Sequence, residues 1–211
     1  MRILLTAFEP YGEWPDNSSW LALVDFLRTR PSSSELVTRR YPVDLAKLHH
    51  CLERDLALGF DAVVHLGQAP GSAAVKLEAF AVNAANSIRE SSDQLHDLVE
   101  SAPAAYRSAM PLDRWCQALR KESVPAQISF HAGTYLCNAA LYLSHHWHAQ
   151  RNKRTPIGFV HLPLASEQVA AANIAVPSLP LVLLSRAVSV IVEDLLTSSI
   201  QDANVPGESL V

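Results

Sequence analysis

Residues 128–149 read ISFHAGTYLCNAALYLSHHWHA, and this stretch decides the fold class. A short β-type run leads into a turn in which Gly133 can adopt the conformation that a sharp reversal requires. From about Thr134 to His148 the apolar side chains recur at helical spacing. A strand, a tight turn and a helix in direct succession are typical of an α/β protein.

The same alternation continues on both sides of this stretch. Short β-type runs cover residues 2–7, 36–41, 61–66, 75–83, 127–130 and 157–162. Helical runs follow the capping residues Asp16 or Asn17 and Asp44, and cover about 111–121, 134–148 and 183–196. Because mostly apolar strands alternate with helices, the sequence predicts a three-layer α/β/α sandwich with a mostly parallel twisted sheet. We expect one domain over 1–211, with a polar loop or edge at 84–101 and a loose tail of about ten residues.

Composition narrows the class of function. The chain has 211 residues, of which 49% are apolar and 18% charged, with a net charge of −4. This net negative charge provides no positive electrostatic potential that would attract nucleic acid. No apolar run approaches the roughly 20 residues of a membrane span, and the N-terminus resembles a first strand more than a secretory signal. These features favour a cytoplasmic protein with no nucleic-acid or membrane partner.

The three cysteines are Cys51, Cys116 and Cys137, and none belongs to a CxxC pair. An odd number of dispersed cysteines argues against a disulfide framework and a cysteine zinc site, and favours a reducing compartment. Cys137 falls in the first turn of its helix, where unpaired N–H groups and the helix dipole favour a thiolate. We therefore predict that Cys137 is a nucleophile at the carboxyl edge of the sheet; packing of the helix is the alternative.

A cysteine nucleophile requires a base, and His161 is the candidate. It follows the apolar strand IGFV, so we expect it at the sheet edge from which Cys137 emerges. His65 and His131 also flank strand ends and remain open alternatives. The histidines at 145, 146 and 148 are interpreted as an exposed helix end, and no metal or cofactor is expected.

Glu78 is the candidate third group. It lies in VKLEAFAV, a mostly apolar β-type run, where a buried carboxylate requires a partner. An imidazolium is a suitable partner, and the pair would orient the base. The alternative is a strand-edge glutamate that faces water, which Lys76 two residues earlier would favour.

Six ordered segments of the chain resemble the pyroglutamyl peptidases, also called pyrrolidone-carboxylate peptidases. The segments are ILLTAFEPYG, HLGQAPGS, LEAFAVN, PAAYRSAMPLD, SFHAGTYLCNAALY and FVHLPLASEQV. They are similar to that family's TGFEPFGG, HxGxAGG, IExxAxN, GPAAYxSxLP, SxSAGTYVCNxxxY and FIHVPxxPEQ. AGTYLCN is the most specific match. The family's catalytic Cys, His and Glu fall on Cys137, His161 and Glu78.

The resemblance implies an enzyme that removes an N-terminal pyroglutamyl residue from peptides, without a cofactor. It also implies an α/β/α sandwich that assembles as a homo-oligomer, a dimer or tetramer. By the same resemblance, aromatic walls for the lactam ring fall on Phe8 and Tyr11, the backbone that binds the lactam amide falls on Gln68, and an apolar wall falls on Leu136.

The chain also departs from the family pattern. The family usually has Gly at the positions of Ala7, Glu13 and Pro70, Arg at Ser72 and Phe at Tyr11. A family Arg ten positions after the Glu falls on Ile88, with Arg89 one place later. These changes leave two alternatives open: an amidase with the same three groups that acts on another lactam or N-acyl substrate, and a non-catalytic oligomeric relative.

Overall fold

A six-stranded sheet organises the chain in a computed structural model that describes residues 1–30, 35–85 and 96–203. Its strands, in spatial order, are β2 (Leu36–Tyr41), β1 (Ile3–Phe8), β3 (Ala62–Gln68), β8 (Ile157–Leu162), β4 (Val75–Glu78) and β7 (Ala126–Ser129). The helices are α1 (Ser18–Thr29), α2 (Leu45–Leu56), α3 (Leu112–Lys121), α4 (Leu136–Ala149), α5 (Ser166–Ala172) and α6 (Leu181–Ala203). Two-stranded pairings join β5 (Phe80–Val82) to β6 (Ala105–Arg107) and β9 (Leu164–Ala165) to β10 (Ser178–Leu179).

The central strands are buried on both faces, which explains their continuous apolar sequence. On one face α1, α3 and α6 pack over a core that includes Leu5, Val64 and Trp115. On the other, α2 and α4 pack over a second core that includes Leu4 and Phe159. The predicted α/β/α sandwich is confirmed.

Two helix starts follow from side-chain capping, as the sequence predicts. The Asn17 carboxamide oxygen accepts from the Ser19 N–H at 3.0 Å, which selects Asn17 over Asp16 as the cap of α1. The Asp44 carboxylate accepts from the Lys47 N–H at 2.9 Å at the start of α2. Each oxygen satisfies a backbone donor that the first turn leaves unpaired. Thr134, where the predicted helical run begins, lies just before α4, which starts at Leu136 after the N-cap residue Tyr135.

Strand direction differs from the simple βαβ expectation. β2, β1, β3 and β8 run parallel, but β4 pairs with β8 in antiparallel register, and β7 is parallel to β4. The end of β7 therefore does not lie at the sheet edge from which His161 emerges. The predicted reason for Cys137 to meet His161, strands that end at one common edge, is wrong.

Other expectations are corrected in detail. The β run at 75–83 is broken at Ala79, where the chain leaves the main sheet so that β5 can pair with β6. The sequence did not indicate β6, α5 or the short β9 and β10. The final helix continues to Ala203, past the predicted end at about residue 196, and residues 204–211, where most of the expected tail falls, lie outside the described residues. Most of the predicted loop at 84–101 also lies outside them, since 86–95 are not described.

Within residues 1–30, 35–85 and 96–203, no helix is long and apolar enough to cross a bilayer. The same ranges hold no group of three His, Cys, Asp or Glu side chains that could ligate a metal ion.

Candidate active site

Glu78 and His161 form the centre of the site. Their strands are adjacent and antiparallel, with Lys76 opposite His161, so Glu78 and His161 lie diagonally across β4 and β8 on one face of the sheet. The His161 Nδ1 lies 2.8 Å from the Glu78 Oε1. Glu78 is fully buried, which excludes the water-facing alternative. Its second oxygen, Oε2, is also buried and has no hydrogen-bond partner among the described residues.

Cys137 reaches the same place from α4. Gly67 is paired with His161 in the parallel register of β3 and β8. A Cβ built on Gly67 would lie 3.1 Å from the Cys137 sulfur and 2.6 Å from Cζ of Phe159. Any side chain at residue 67 would therefore displace the thiol or the aromatic ring beneath it. Glycine is required here by this close approach.

The six residues 130–135 carry the chain from the end of β7 back to this position. Within this connector Gly133 has a φ of +83°, and its N–H donates to the His131 Nδ1 at 3.0 Å. Cys137 then occupies the second position of α4, in the first turn. Tyr135, the N-cap residue, makes no capping hydrogen bond with its side chain, so the helix dipole acts on the thiol without a competing side-chain cap.

The electrostatics of His161 follow from these contacts. Burial alone would lower the pKa of the imidazole, but the negative charge of Cys137, a hydrogen bond to Cys137 and the contact with Glu78 together raise the pKa to about 9. Because Nδ1 is engaged by Glu78, Nε2 is the nitrogen left to face the sulfur. The raised pKa keeps the His161 imidazole protonated beside the Cys137 sulfur near neutral pH.

The two alternative bases are engaged elsewhere. His65 is fully buried between the hydroxyls of Thr6 (2.8 Å from Nδ1) and Ser144 (2.9 Å from Nε2). Burial lowers its pKa to about 3. His131 is exposed, and its Nδ1 accepts the Gly133 N–H. Of the three candidate bases, His161 is the one that the structure brings to Glu78 and Cys137.

The interpretation of 145–148 as an exposed helix end is wrong. His148 is buried and its Nδ1 lies 2.8 Å from the Ser144 carbonyl oxygen. His145 stacks on Tyr106 at 5.7 Å between ring centroids, and burial lowers its pKa to about 4. The reason is that α4 packs against the β5–β6 pair as well as the sheet, so its outer side is covered.

Asn138 is a site residue that sequence reasoning missed. Its carboxamide oxygen accepts from the Val82 N–H at 2.9 Å, and its nitrogen donates to the carbonyl oxygens of Val82 and Ala84 at 2.8 and 2.9 Å. Asn138, which follows Cys137 in the chain, thus holds the end of β5 against the start of α4. A signal was present, because an asparagine in an apolar helix such as LCNAALYL must find partners when buried.

A cavity of about 890 Å³ opens next to the start of α4. Its wall includes Tyr11, Leu136, Asp44 and Thr134. Of the four residues that the family resemblance assigned to substrate binding, Tyr11 and Leu136 line this cavity, whereas Gln68 and Phe8 do not. Phe8 is almost wholly buried and packs against Phe159 at 6.3 Å between ring centroids.

Tyr11 and Gln68 are in direct contact. The Tyr11 hydroxyl donates to the Gln68 backbone carbonyl oxygen at 3.4 Å. Burial and the charge of Cys137 raise the pKa of the phenol to about 12, against a smaller opposite effect of its hydrogen bond to Gln68, so the hydroxyl is a donor throughout the neutral range. Ile88 and Arg89, which bear on the family arginine, lie outside the described residues.

An α/β sandwich that places a helix-start thiol beside a carboxylate-bound imidazole is the architecture of a cysteine hydrolase. The family model of pyroglutamyl peptidase matches residues 1–198. Pyrrolidone-carboxylate peptidase from Thermococcus onnurineus is 33% identical over 92% of this chain and 98% of its own length. The Pectobacterium atrosepticum protein of the same name is 32% identical over 99% and 98%. The chain belongs to the pyroglutamyl peptidase family.

Solved structures agree with the sequence comparison. The crystal structure of pyrrolidone carboxyl peptidase from the hyperthermophile Pyrococcus furiosus superposes with a TM-score of 0.85 at 30% identity, covering 94% of this chain and 99% of that one. A point mutant of the same enzyme gives a TM-score of 0.83 with the same coverage of both chains. The similarity extends over the whole fold.

Proposed function

We propose that the protein is a cysteine peptidase that removes an N-terminal pyroglutamyl (5-oxoprolyl) residue from peptides. Cys137 is the nucleophile, His161 the general base and acid, and Glu78 the group that orients and charge-balances the imidazole. One observation carries the assignment: the buried pair of Glu78 Oε1 and His161 Nδ1, 2.8 Å apart, with Cys137 at the other side of the ring.

In this scheme the Cys137 thiolate attacks the carbonyl carbon of the pyroglutamyl residue. The backbone N–H groups at the start of α4 lie near the developing oxyanion and stabilise it. The His161 imidazolium then donates its Nε2 proton to the leaving amine, which breaks the peptide bond and leaves a thioester. The neutral imidazole next takes a proton from water, and the hydroxide adds to the thioester carbonyl. The carbon–sulfur bond then breaks, which releases pyroglutamic acid and restores the Cys137 thiolate beside the His161 imidazolium.

Recognition of the ring uses the cavity beside α4. Pyroglutamate is flat and uncharged, with one amide N–H and one ring carbonyl, so aromatic and apolar walls with backbone donors and acceptors suit it. Tyr11 and Leu136 provide walls of the cavity. The Gln68 backbone, whose carbonyl oxygen the Tyr11 hydroxyl contacts, is the partner for the lactam amide. Phe8 supports the lactam-binding site indirectly, because it packs against Phe159.

We extend the proposal to the setting of the enzyme. Three free cysteines, one of them the nucleophile, suit a reducing cytoplasm. The family resemblance supports a homo-oligomer, a dimer or tetramer, which light scattering of the purified protein would test.

The test of function compares three chromogenic anilides, those of pyroglutamate, proline and acetylated alanine. We expect hydrolysis of the pyroglutamyl compound at least about a hundredfold faster than the other two, because only it carries the lactam ring that the proposed site would recognise. Cys137→Ser should abolish the activity, whereas Cys51→Ser and Cys116→Ser serve as matched controls and should keep it. Faster cleavage of the acetyl compound would favour the other-amide alternative, and no cleavage at all would favour a non-catalytic relative; the family match favours neither.

A further inference from the structure

Gln168, on α5, makes three hydrogen bonds with one side chain. Its Nε2 donates to the Asp16 carbonyl oxygen at 2.9 Å and to the Gln68 Oε1 at 3.1 Å. Its Oε1 accepts from the Ala165 N–H at 2.9 Å. The residue is 8% exposed, so these contacts are made away from water, where a lost partner is costly.

The three partners belong to three separate segments at the site. Asp16 is in the loop between β1 and α1, which also carries Tyr11. Gln68 ends β3. Ala165 lies four residues after His161. A single amide group therefore ties together the segments that carry the aromatic wall, the lactam partner and the base.

Gln68 is held from a second direction. Its Oε1 also accepts from the N–H of Ser18, the first residue of α1, at 2.7 Å. With Gln168 and Ser18 on the same oxygen, the Gln68 side chain is fixed on the inner side of the strand end. Its backbone carbonyl oxygen separately accepts from the Tyr11 hydroxyl.

We propose that Gln168 is a positioning residue for recognition of the lactam, acting through Gln68; this rests on the proposed function. Only an uncharged carboxamide can donate twice and accept once in this place. Glutamate could still accept from Ala165 but would direct a negative charge at two oxygens. Methionine would fill the space with no polar atom to match.

The role is separable from the chemical step. Cys137, His161 and Glu78 are held by their own contacts, none of which involves Gln168. Loss of the Gln168 hydrogen bonds should therefore weaken lactam binding and leave the reactivity of the thiol intact. A merely structural role would instead lower the melting temperature and leave KM of the folded enzyme unchanged.

The experiment uses Gln168→Glu and Gln168→Met, with Glu167→Ala as the matched control on the same helix. Glu167 contacts the Leu181 N–H and none of the three site segments. For each protein the measurements are KM and kcat on the pyroglutamyl anilide, inhibition by 2-pyrrolidone, the bare lactam, and the rate at which iodoacetamide alkylates Cys137. A melting curve accompanies each.

We expect both Gln168 variants to raise KM and the 2-pyrrolidone inhibition constant by about tenfold, with the alkylation rate within about twofold of wild type. Glu167→Ala should change none of these. An active wild type whose Gln168 variants keep their KM and inhibition constant would overturn the role of Gln168 alone. A wild type that neither cleaves the anilide nor binds 2-pyrrolidone would overturn the proposed function and this inference with it. If one of the two Gln168 variants fails to fold, the other can still be tested.

Discussion

The Tyr11 hydroxyl donates a hydrogen bond to the backbone carbonyl oxygen of Gln68, 3.4 Å away. In the proposed function that oxygen is the acceptor for the lactam N–H. The hydroxyl, which the family's usual phenylalanine lacks, therefore competes with the substrate. A carbonyl oxygen has two lone pairs, and the phenol occupies one of the two acceptor positions that the lactam N–H can use.

Tyr11→Phe should lower KM for a pyroglutamyl anilide about three- to tenfold, the effect of removing one modest competing hydrogen bond. The aromatic wall is retained, so kcat should change little. Steady-state kinetics provide the measurement, and Tyr106→Phe, whose hydroxyl lies 2.9 Å from the His146 Nδ1, provides the control. A higher KM in Tyr11→Phe would mean that the hydroxyl binds the substrate rather than competing with it.

Gly67→Ala should impair catalysis more than it impairs folding. The added methyl group meets the Phe159 ring and the Cys137 sulfur, and the thiol at the end of a short side chain moves away more easily than strand β8 does. We expect kcat to fall at least about tenfold, since a small misplacement of reacting atoms is costly. Gly71→Ala, at a turn glycine with open space around it, would be strained by its φ of +80° but would not touch the thiol. Equal kinetics for wild type and Gly67→Ala would contradict the close packing.

The pH dependence should report the state of His161. Its pKa is raised to about 9, so the imidazolium that protonates the leaving amine is lost as pH rises through about 9, and kcat/KM should fall there. Glu78→Gln removes a contact that raises this pKa, so the alkaline limb should move to lower pH, with turnover reduced by about a hundredfold or more. A full pH–rate profile of each protein tests both statements. An unmoved alkaline limb in Glu78→Gln would show that Glu78 does not act on His161.

The same raised pKa contributes to folding in a defined window. A proton bound more tightly in the folded state stabilises it fully below about pH 6.5, and this contribution disappears as pH rises through about 9. This contribution to stability depends on pH in the opposite sense to that of the buried histidines whose pKa is lowered.

His65 should make the protein less stable in mild acid. Its pKa is lowered to about 3 in the folded state by burial, so folding excludes a proton that the unfolded chain binds below about pH 6.5. The free energy of unfolding should fall by up to about 1 kcal/mol per pH unit as the pH decreases from 6.5. His65→Gln should flatten this slope, although it lowers stability at neutral pH. Urea titrations at several pH values measure it, with exposed His49→Gln as control; a parallel slope in His65→Gln would contradict the assignment.

Sequence reasoning found the Glu78 and His161 pair for a sound reason. A carboxylate in an apolar strand has to be neutralised by a neighbour, and that requirement can be read from the residues themselves. Strand direction cannot be read in this way. A four-residue strand such as 126–129 (AQIS) carries no sequence mark of its direction, so the antiparallel placement of β4 and β7 relative to β8 was not predictable.

The Gln168 contacts were beyond sequence reasoning for a different reason. Gln168 meets Gln68 across 100 residues of chain, and nothing local marks a glutamine in a short helix as shared between segments. The break of the 75–83 run at Ala79 was equally hidden, because no glycine or proline interrupts VKLEAFAVN and β-forming residues continue past the break.

Because β7 runs opposite to β8, the number of residues between the end of β7 and Cys137 matters for function. The sulfur is not delivered by the end of its own strand but by the connector 130–135, which must return along the sheet before α4 begins. One residue of extended chain spans roughly 3.3 Å, more than the reach of a hydrogen bond. The residues of the connector can therefore vary in kind, but their number cannot. We expect an insertion or deletion within 130–135 to move the Cys137 sulfur out of hydrogen-bonding distance of His161.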